Sequence, residues 1–319
     1  MKTLFEKYSR TFMRHRPDIS IPGSPERCIS RFVAEDTTGT VWLVEQLKST
    51  QKDWRSIVGE LLVRLHQENT LHVHAPATTK NNETVILHEG LPYQITPFII
   101  GTDLPRPEYC ADTERGRAIG NFILSLQAAG ENIPIPENST PPLPEYIEDI
   151  VGTIKQHRPE MMPRIERVLQ HLETFFTEER SIPAALAHGD CHPLNIIWNE
   201  NEIAGVIDWE FTGKKIALYD AANCIGCVGM EHPNWLINGL IPELVTTIRA
   251  GSSIIDVHIH QLIPSIVALR FAWLSEWLRK KDTEMQEQEL EYMLLLATSQ
   301  KEIEGFWERH YSHSIQSHM

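Results

Sequence analysis

Polar side chains that could carry out acid–base or metal chemistry are concentrated between residues 188 and 195, which read HGDCHPLN. Asp190 and Asn195 lie five positions apart, and Gly189 and Pro193 disfavour a regular helix between them. A loop can therefore turn both side chains into one cleft. Transfer of a phosphoryl group needs a carboxylate that accepts a proton from a hydroxyl and oxygen ligands that hold Mg²⁺. Asp190 is suited to the first task.

The residues after Asn195 predict a β-hairpin. An apolar run at 196–198 is followed by a polar turn at 199–202 and a second apolar run at 203–207. The hairpin returns the chain so that Asp208 lies beside Asn195. One amide oxygen and one carboxylate that meet in this way predict a magnesium site.

The order of these residues resembles a known family. The motif His-Gly-Asp-x-His-x-x-Asn at 188–195, followed by Ile-Asp-Trp-Glu at 207–210, is similar to that of the aminoglycoside phosphotransferase and choline kinase family. The resemblance implies a two-lobed protein-kinase-like fold of the α+β class, with a small β-rich N-terminal lobe and a larger, mainly helical C-terminal lobe. It also implies transfer of the γ-phosphoryl group of ATP, or alternatively GTP, with Mg²⁺.

The same resemblance assigns roles within the motif. Asp190 corresponds to the catalytic base, and Asn195 and Asp208 correspond to the metal ligands. Three further residues are expected to support the catalytic loop: His188, His192 and Asp220. His188 is also counted with the catalytic group because it braces that loop. The protein-kinase pattern has the same His-x-Asp-x-x-x-x-Asn spacing.

The N-terminal lobe departs from the family pattern. In the family, the third strand commonly ends in Lys or Arg, which contacts the nucleotide phosphates and pairs with a Glu on the next helix. Glu60 is the predicted helix residue, but the strand position falls on Glu45 or Gln46, and neither is basic. The one segment that could cover the phosphates, residues 22–25, contains a single glycine.

Three hypotheses account for the missing strand cation. Lys48, Lys52 or Arg27 supplies the charge from a neighbouring position. Alternatively, magnesium ions neutralise the phosphates largely unaided. In the third hypothesis nucleotide binding is weakened or lost, and the chain is a binding or regulatory protein that kept the fold.

The phosphoryl acceptor is expected to be a small molecule with a hydroxyl group, such as an amino alcohol, a sugar, a homoserine-like compound or an aminoglycoside. Glu210 follows the predicted metal ligand and is a candidate acceptor contact. Arg270 and Trp273 lie on a helix that commonly borders the acceptor pocket in the resembling family, and they are further candidates.

Hydrophobic periodicity predicts the surrounding elements. Residues 1–100 form the predicted nucleotide-binding lobe and residues 101–319 the catalytic lobe, joined by a hinge at about 96–107. The predicted strands are at 28–35, 40–47, 84–88 and 92–99, with a helix capped by Asp53 between the two pairs. The predicted later helices are at 113–129, 259–281 and 284–310, and the stretch 146–176 is predicted to be helical with a break near Pro159 and Pro163.

Bulk properties exclude other classes of function. The 319 residues carry a net charge of −14, which argues against nucleic acid as a partner. The sequence contains no run of about 18 apolar residues, which a membrane-spanning helix would need. Five cysteines do not indicate a disulfide framework. These features favour a cytoplasmic protein that acts on a small molecule.

Overall fold

The computed structural model describes residues 1–21, 28–136 and 142–317. The N-terminal part contains a five-stranded antiparallel sheet with strand order β1-β2-β3-β5-β4. Its elements are α1 (Lys2–Lys7), β1 (Phe12–His15), β2 (Ser30–Asp36), β3 (Val41–Gln46), α2 (Lys52–Gln67), β4 (Val85–His88) and β5 (Leu91–Pro97). The β-rich start predicted from sequence is confirmed, and α1 and β1 are additions to it.

The β2–β3 hairpin closes as its turn residues predict. The buried Asp36 carboxylate accepts the backbone N–H groups of Thr38 and Thr40 at 2.9 and 3.1 Å, and Gly39 takes a φ of +84°. On one face of the sheet, α1 packs its apolar residues against Trp42 and other strand residues. The opposite face of the sheet is therefore the one available to α2.

Helix α2 connects the sheet to the rest of the molecule. The prediction that Asp53 caps this helix is wrong, because the helix begins at Lys52 with Gln51 at the N-cap. Asp53 lies in the first turn, where a negative charge favours the helix dipole. The buried face of α2, which includes Leu61 and Leu65, belongs to the same apolar core as the C-terminal helices.

The C-terminal part is mainly helical. It contains α3 (Thr113–Gly130), α4 (Leu143–His157), α5 (Met162–Glu178), α6 (Tyr219–Glu231), α7 (Leu240–Gly251), α8 (Ser253–Val257), α9 (Leu262–Lys280), α10 (Thr283–Thr298) and α11 (Gln300–Ser317). The single helix predicted over 284–310 is two helices, because the backbone breaks at Ser299. In the described residues no helix has the length and apolar character that crossing a bilayer requires.

Two small antiparallel pairs lie in this helical part and carry the predicted motif. Strand β6 (Ala184–Ala187) pairs with β9 (Gly213–Ile216), and β7 (Ile196–Asn199) pairs with β8 (Glu202–Val206), which confirms the predicted hairpin. The segment predicted as the hinge contacts this hairpin, since the Thr102 N–H donates to the carbonyl of Trp198 on β7 at 2.7 Å.

Candidate functional site

The candidate catalytic loop joins the end of β6 to the start of β7. Gly189 has a φ of +86°, a conformation that favours glycine. A Cβ at this position would also clash with the carbonyl group of Phe211. The loop can pass so close to the segment after β8 only because residue 189 has no side chain.

Asp190 is held by residues from its own loop. The Asn195 Nδ2 donates to both the Asp190 carbonyl and its Oδ2, each at 2.9 Å. The His192 Nε2 lies 3.6 Å from the Asp190 Oδ1. Burial alone would raise the pKa of Asp190, but the interactions with His192, His188 and Asn195 outweigh burial and lower it below its ordinary value. The carboxylate is therefore ionised at neutral pH.

The two histidines of the loop have hydrogen bonds that fix their tautomers. In His188 the Nδ1 accepts the Asp190 N–H at 3.2 Å, so its Nε2 carries the proton that is donated to the Ile207 carbonyl at 2.9 Å. In His192 the Nδ1 accepts the Leu194 N–H at 3.3 Å, which leaves the protonated Nε2 facing Asp190. His188 thus connects the loop to the end of β8.

Asp220, at the start of α6, anchors the loop from outside. Its two carboxylate oxygens accept the backbone N–H groups of His188 and Gly189 at 2.7 and 2.8 Å. Burial raises the pKa of Asp220 to about 6, although these two hydrogen bonds and Lys215 act to lower it. The ionised carboxylate is the form that can accept both hydrogen bonds.

Asn195 and Asp208 lie on adjacent ends of the β7–β8 hairpin. The Ile207 N–H donates to the Asn195 carbonyl at 3.0 Å, which places Asp208 one residue beyond this contact. Asp208 has left-handed backbone angles, φ 70° and ψ 53°, that turn the chain sharply after β8. Because the Asn195 amide nitrogen is used by Asp190, its oxygen is the atom suited to a metal ion.

The candidate donors are oxygen atoms, which suit hard cations such as Mg²⁺. Within the described parts of the chain, no three His, Cys, Asp or Glu side chains form a metal-binding group. Mg²⁺ is commonly bound by one or two protein oxygen ligands together with the phosphates of a substrate. An amide oxygen from Asn195 and a carboxylate from Asp208 match that chemistry.

The residues predicted to contact the nucleotide do not form one cluster among the described residues. Lys48 is exposed after β3, and Glu60 is exposed on α2. Arg27 and the segment 22–25 lie outside the described residues. The family pattern pairs a strand cation with the helix Glu, for which Glu60 is the candidate, whereas here Glu45 on β3 pairs with Arg55 of α2.

The predicted acceptor contacts lie in two places. Glu210 is two residues after Asp208, where its carbonyl accepts the Trp54 indole N–H at 2.7 Å. Trp273 is half-buried on α9. Arg270, one turn earlier, is buried and its guanidinium donates two hydrogen bonds to Glu289 at 2.5 and 2.6 Å. The structure therefore places Glu210 against the start of α2, next to Phe211, whose carbonyl approaches Gly189 of the loop, and commits Arg270 to a buried ion pair.

Sequence reasoning missed the residues by which α2 contacts the site. The Gln51 Nε2 lies 3.4 Å from the Glu210 Oε1, and Trp54 contacts the same residue. Arg55, the next residue, reaches the sheet. The only sequence feature that pointed to them was the absence of a basic residue on β3, which required a cation from another element.

Structures with similar folds include several phosphotransferases. An amicoumacin kinase in complex with AMP-PNP and Ca²⁺ is 11% identical, with a TM-score of 0.65 and 93% of each chain covered. A thermostable mutant of an aminoglycoside phosphotransferase, in a ternary complex with AMP-PNP and hygromycin B, is 14% identical with a TM-score of 0.63, covering 93% of this chain and 97% of that chain. At these identities the likeness shows the fold, which confirms the predicted kinase-like architecture.

Curated relatives are homoserine kinases. The enzyme of Nitrobacter hamburgensis is 27% identical over 167 residues, covering 49% of this chain and 48% of the relative. The enzyme of Beijerinckia indica subsp. indica is 26% identical over 235 residues, covering 66% and 67%. The chain thus matches about half the length of most of these relatives.

The family profile of the phosphotransferase enzymes, abbreviated APH, matches residues 58–239. This range is more than half of the 319-residue chain and contains the catalytic loop, the hairpin and Asp220. The family membership predicted from the motif is confirmed. The chain belongs to the phosphotransferase enzyme family.

Proposed function

We propose that this protein transfers the γ-phosphoryl group of ATP, or alternatively GTP, to a hydroxyl group of a small molecule. The observation that carries the proposal is the pair of hydrogen bonds from the Asn195 amide to Asp190. One amide nitrogen thus positions an ionised carboxylate, and the amide oxygen of the same side chain remains as a candidate metal ligand. The same side chain would then serve both the base and the metal site.

Asp190 would accept a hydrogen bond from the acceptor hydroxyl and then its proton as phosphoryl transfer proceeds. The low pKa of Asp190 suits orientation of the hydroxyl at neutral pH, because the carboxylate is ionised before the acceptor arrives. His192 favours the ionised carboxylate, since its protonated Nε2 faces the Oδ1 at 3.6 Å.

Asn195 and Asp208 would hold Mg²⁺, which neutralises charge on the phosphates when it is bound. His188 fixes the spacing between this pair and the base, because it contacts the backbone of Asp190 and of Ile207. The protein's contribution is thus to hold the base and both metal ligands on one rigid loop and hairpin.

Homoserine is the first acceptor to test, because the curated relatives across half of the chain are homoserine kinases. Aminoglycosides are the second, since the ternary complex of the structural neighbour contains hygromycin B. Both compounds offer a hydroxyl group to a base at the position of Asp190.

The test combines nucleotide binding with product formation. Purified protein is expected to be stabilised by ATP with Mg²⁺, by about 2.7 kcal/mol when the free ligand is at about a hundred times its dissociation constant. It is expected to phosphorylate at least one member of a panel of homoserine, amino alcohols, sugars and aminoglycosides. Asp190→Asn is expected to abolish turnover and retain nucleotide binding.

Asp149→Asn is a matched control, because Asp149 is exposed on α4 and loses the same charge. Absence of turnover across the panel, together with unchanged behaviour of Asp190→Asn, would refute the proposal. The competing hypothesis, a binding or regulatory protein, predicts neither stabilisation by nucleotide nor formation of a phosphorylated product. Magnesium-dependent stabilisation that Asp208→Ala removes would count against that hypothesis.

A further inference from the structure

Of the two candidate positions for the strand cation, Glu45 is the one whose side chain meets α2. Glu45 lies opposite Gln94 in the register of β3 and β5, and paired residues point to the same face of a sheet. Gln94 lies next to Gly59 of α2, where a Cβ would come within 3.0 Å of its Nε2. Glu45 therefore points toward α2 and away from the face covered by α1.

Arg55 of α2 meets Glu45 there. The Arg55 Nη2 donates to the Glu45 Oε2, and the side chains are 20% and 17% exposed. Relative to the family pattern, the charges on strand and helix are exchanged. The pair is partly accessible, so a ligand can reach it.

The guanidinium of Arg55 retains hydrogen-bonding capacity. Its Nε is buried and has no hydrogen-bond partner within the part of the chain that the structure describes. A buried donor without a partner is uncommon in native proteins and calls for an explanation, such as an ordered water or an ion. A guanidinium has five N–H donors, so it can bind a carboxylate and a phosphate together.

Further charged groups lie near this pair. Burial raises the pKa of the Cys28 thiol and the charge of Glu45 raises it further, whereas Arg31, Arg55 and Lys48 act to lower it. Among the described residues, Arg31 and Lys48 are thus cations in the same region as the Arg55–Glu45 pair.

Lys52, one of the alternatives for the missing cation, lies elsewhere. Its side chain lines a depression together with Lys7 of α1 and Lys80. In contrast, the helix turn that carries Arg55 is anchored beside the candidate metal site, because Trp54 donates to the carbonyl of Glu210. Arg55 is therefore the helix cation best placed for a nucleotide whose metal ion lies at Asp208.

We infer that Arg55, positioned by Glu45, supplies the positive charge that binds the nucleotide phosphates. This inference rests on the proposed phosphotransferase function and adds the residue that replaces the strand cation. Glu45 acts as a positioning residue, because it orients the guanidinium and has no direct contact with the phosphates. Arg55 is the residue that touches the nucleotide.

The experiment compares the binding of Mg²⁺–ATP with that of adenosine, which has no phosphates. Arg55→Met is expected to raise the ATP dissociation constant by about 10- to 100-fold, as for the loss of one or two charge-assisted hydrogen bonds. The adenosine dissociation constant is expected to change less than about twofold, within the range of surface substitutions. Arg55→Lys, which keeps the charge, is expected to recover most of the loss.

Two further variants separate binding from folding. Arg64→Met removes the same charge from an exposed position of α2 and is expected to bind ATP as the wild type does. Because Arg55→Met leaves Glu45 without its cation, the double variant Glu45→Gln/Arg55→Met removes both charges. It is expected to show the same selective loss of ATP binding.

The inference is overturned if Arg55→Met binds ATP as tightly as Arg64→Met, if ATP and adenosine weaken equally, or if Arg55→Lys binds no better than Arg55→Met. If the wild type binds and turns over ATP, the first of these results removes the role of Arg55 and leaves the proposed function intact. A wild-type protein that binds neither ATP nor GTP would refute both.

Discussion

The catalytic loop and the strand–helix pair of the N-terminal lobe hold their charged groups in different ways. In the loop, Asp190 and Asn195 are five residues apart and contact each other directly. In the N-terminal lobe, Glu45 and Arg55 belong to different elements and meet through an ion pair. A loop of fixed spacing constrains which residue can occupy each position. An ion pair between two elements can exchange its charges and keep its geometry.

The largest effect is expected at Asp208, the proposed metal ligand at the end of the β7–β8 hairpin. Asp208→Ala is expected to lower kcat/KM by about 10³-fold or more, because metal ions contribute several kcal/mol to stabilisation of the transition state. The variant is also expected to need far more Mg²⁺ for half-maximal activity. Steady-state kinetics at several Mg²⁺ concentrations check both effects.

Asp208→Asn serves as the control, since it keeps an oxygen ligand and loses the charge. It is expected to fall between the wild type and Asp208→Ala. An unchanged Mg²⁺ requirement in Asp208→Ala would contradict the assignment of this residue. The loss of kcat/KM in Asp208→Ala is expected to exceed that in Arg55→Met. Equal losses in the two variants would remove the distinction between the loop and hairpin and the strand–helix pair.

The ion pair of Arg270 and Glu289 provides the next test. Arg270→Met is expected to lower the free energy of unfolding by about 3–5 kcal/mol, because it leaves a fully buried carboxylate without its partner. The KM for the acceptor is expected to remain near that of the wild type. Denaturant unfolding and acceptor titrations measure the two quantities separately.

Arg270→Met/Glu289→Met removes both charges and is expected to recover much of the lost stability. A variant that keeps its stability and loses acceptor affinity would instead support the sequence-based prediction that Arg270 contacts the acceptor.

The anchoring carboxylate of the loop predicts a pH effect. Since the pKa of Asp220 is raised to about 6, protonation below that pH removes one of the two hydrogen-bond acceptors that hold His188 and Gly189. We expect kcat to fall below about pH 6. Asp190 has a lowered pKa and does not account for such a limb.

Asp220→Asn is expected to lower kcat by about 10- to 100-fold at neutral pH through misplacement of the loop, and to lose the acid limb near pH 6. The linkage to stability has the opposite sign. A carboxyl group with a raised pKa in the folded state contributes stability below its ordinary pKa of 3.8, and this contribution is lost as the pH rises to about 6. An acid limb that persists in Asp220→Asn would assign it to another group.

The loop and hairpin could be predicted from sequence because their contacts are local. Gly189, Pro193 and the polar turn at 199–202 restrict the backbone, and the hairpin then places Asp208 beside Asn195. The break between α10 and α11 was missed because Ser299 lies within continuous helical periodicity, with no proline or glycine to mark it. Helix α7 was not predicted, although its apolar residues recur with helical spacing, and the bounds of α6 were not predicted because its buried face is broad.

The role of Arg55 could not be predicted because it depends on tertiary placement. Residues 45 and 55 are separated by a turn and the first residues of α2, and no sequence rule fixes how that helix lies on the sheet. The family pattern directed attention to the acidic residue of the helix instead. The exchange of charges becomes visible only when β3 and α2 are placed together.

The smallest effect is expected at Glu60, the residue that the family pattern favoured. Glu60 follows Arg55 by five residues, which at about 100° per residue places it roughly 140° away around the helix. Gly59, four residues after Arg55, packs against the sheet, so Glu60 is turned outward and is exposed.

We therefore expect Glu60→Gln to change the ATP dissociation constant and kcat by less than about twofold, as for other surface substitutions. Arg55→Gln, on the same helix, is the matched comparison and is expected to weaken ATP binding about tenfold or more. If Glu60→Gln weakened binding as strongly as Arg55→Gln, α2 would have to rotate when nucleotide binds. The exchanged ion pair would then describe only the nucleotide-free protein.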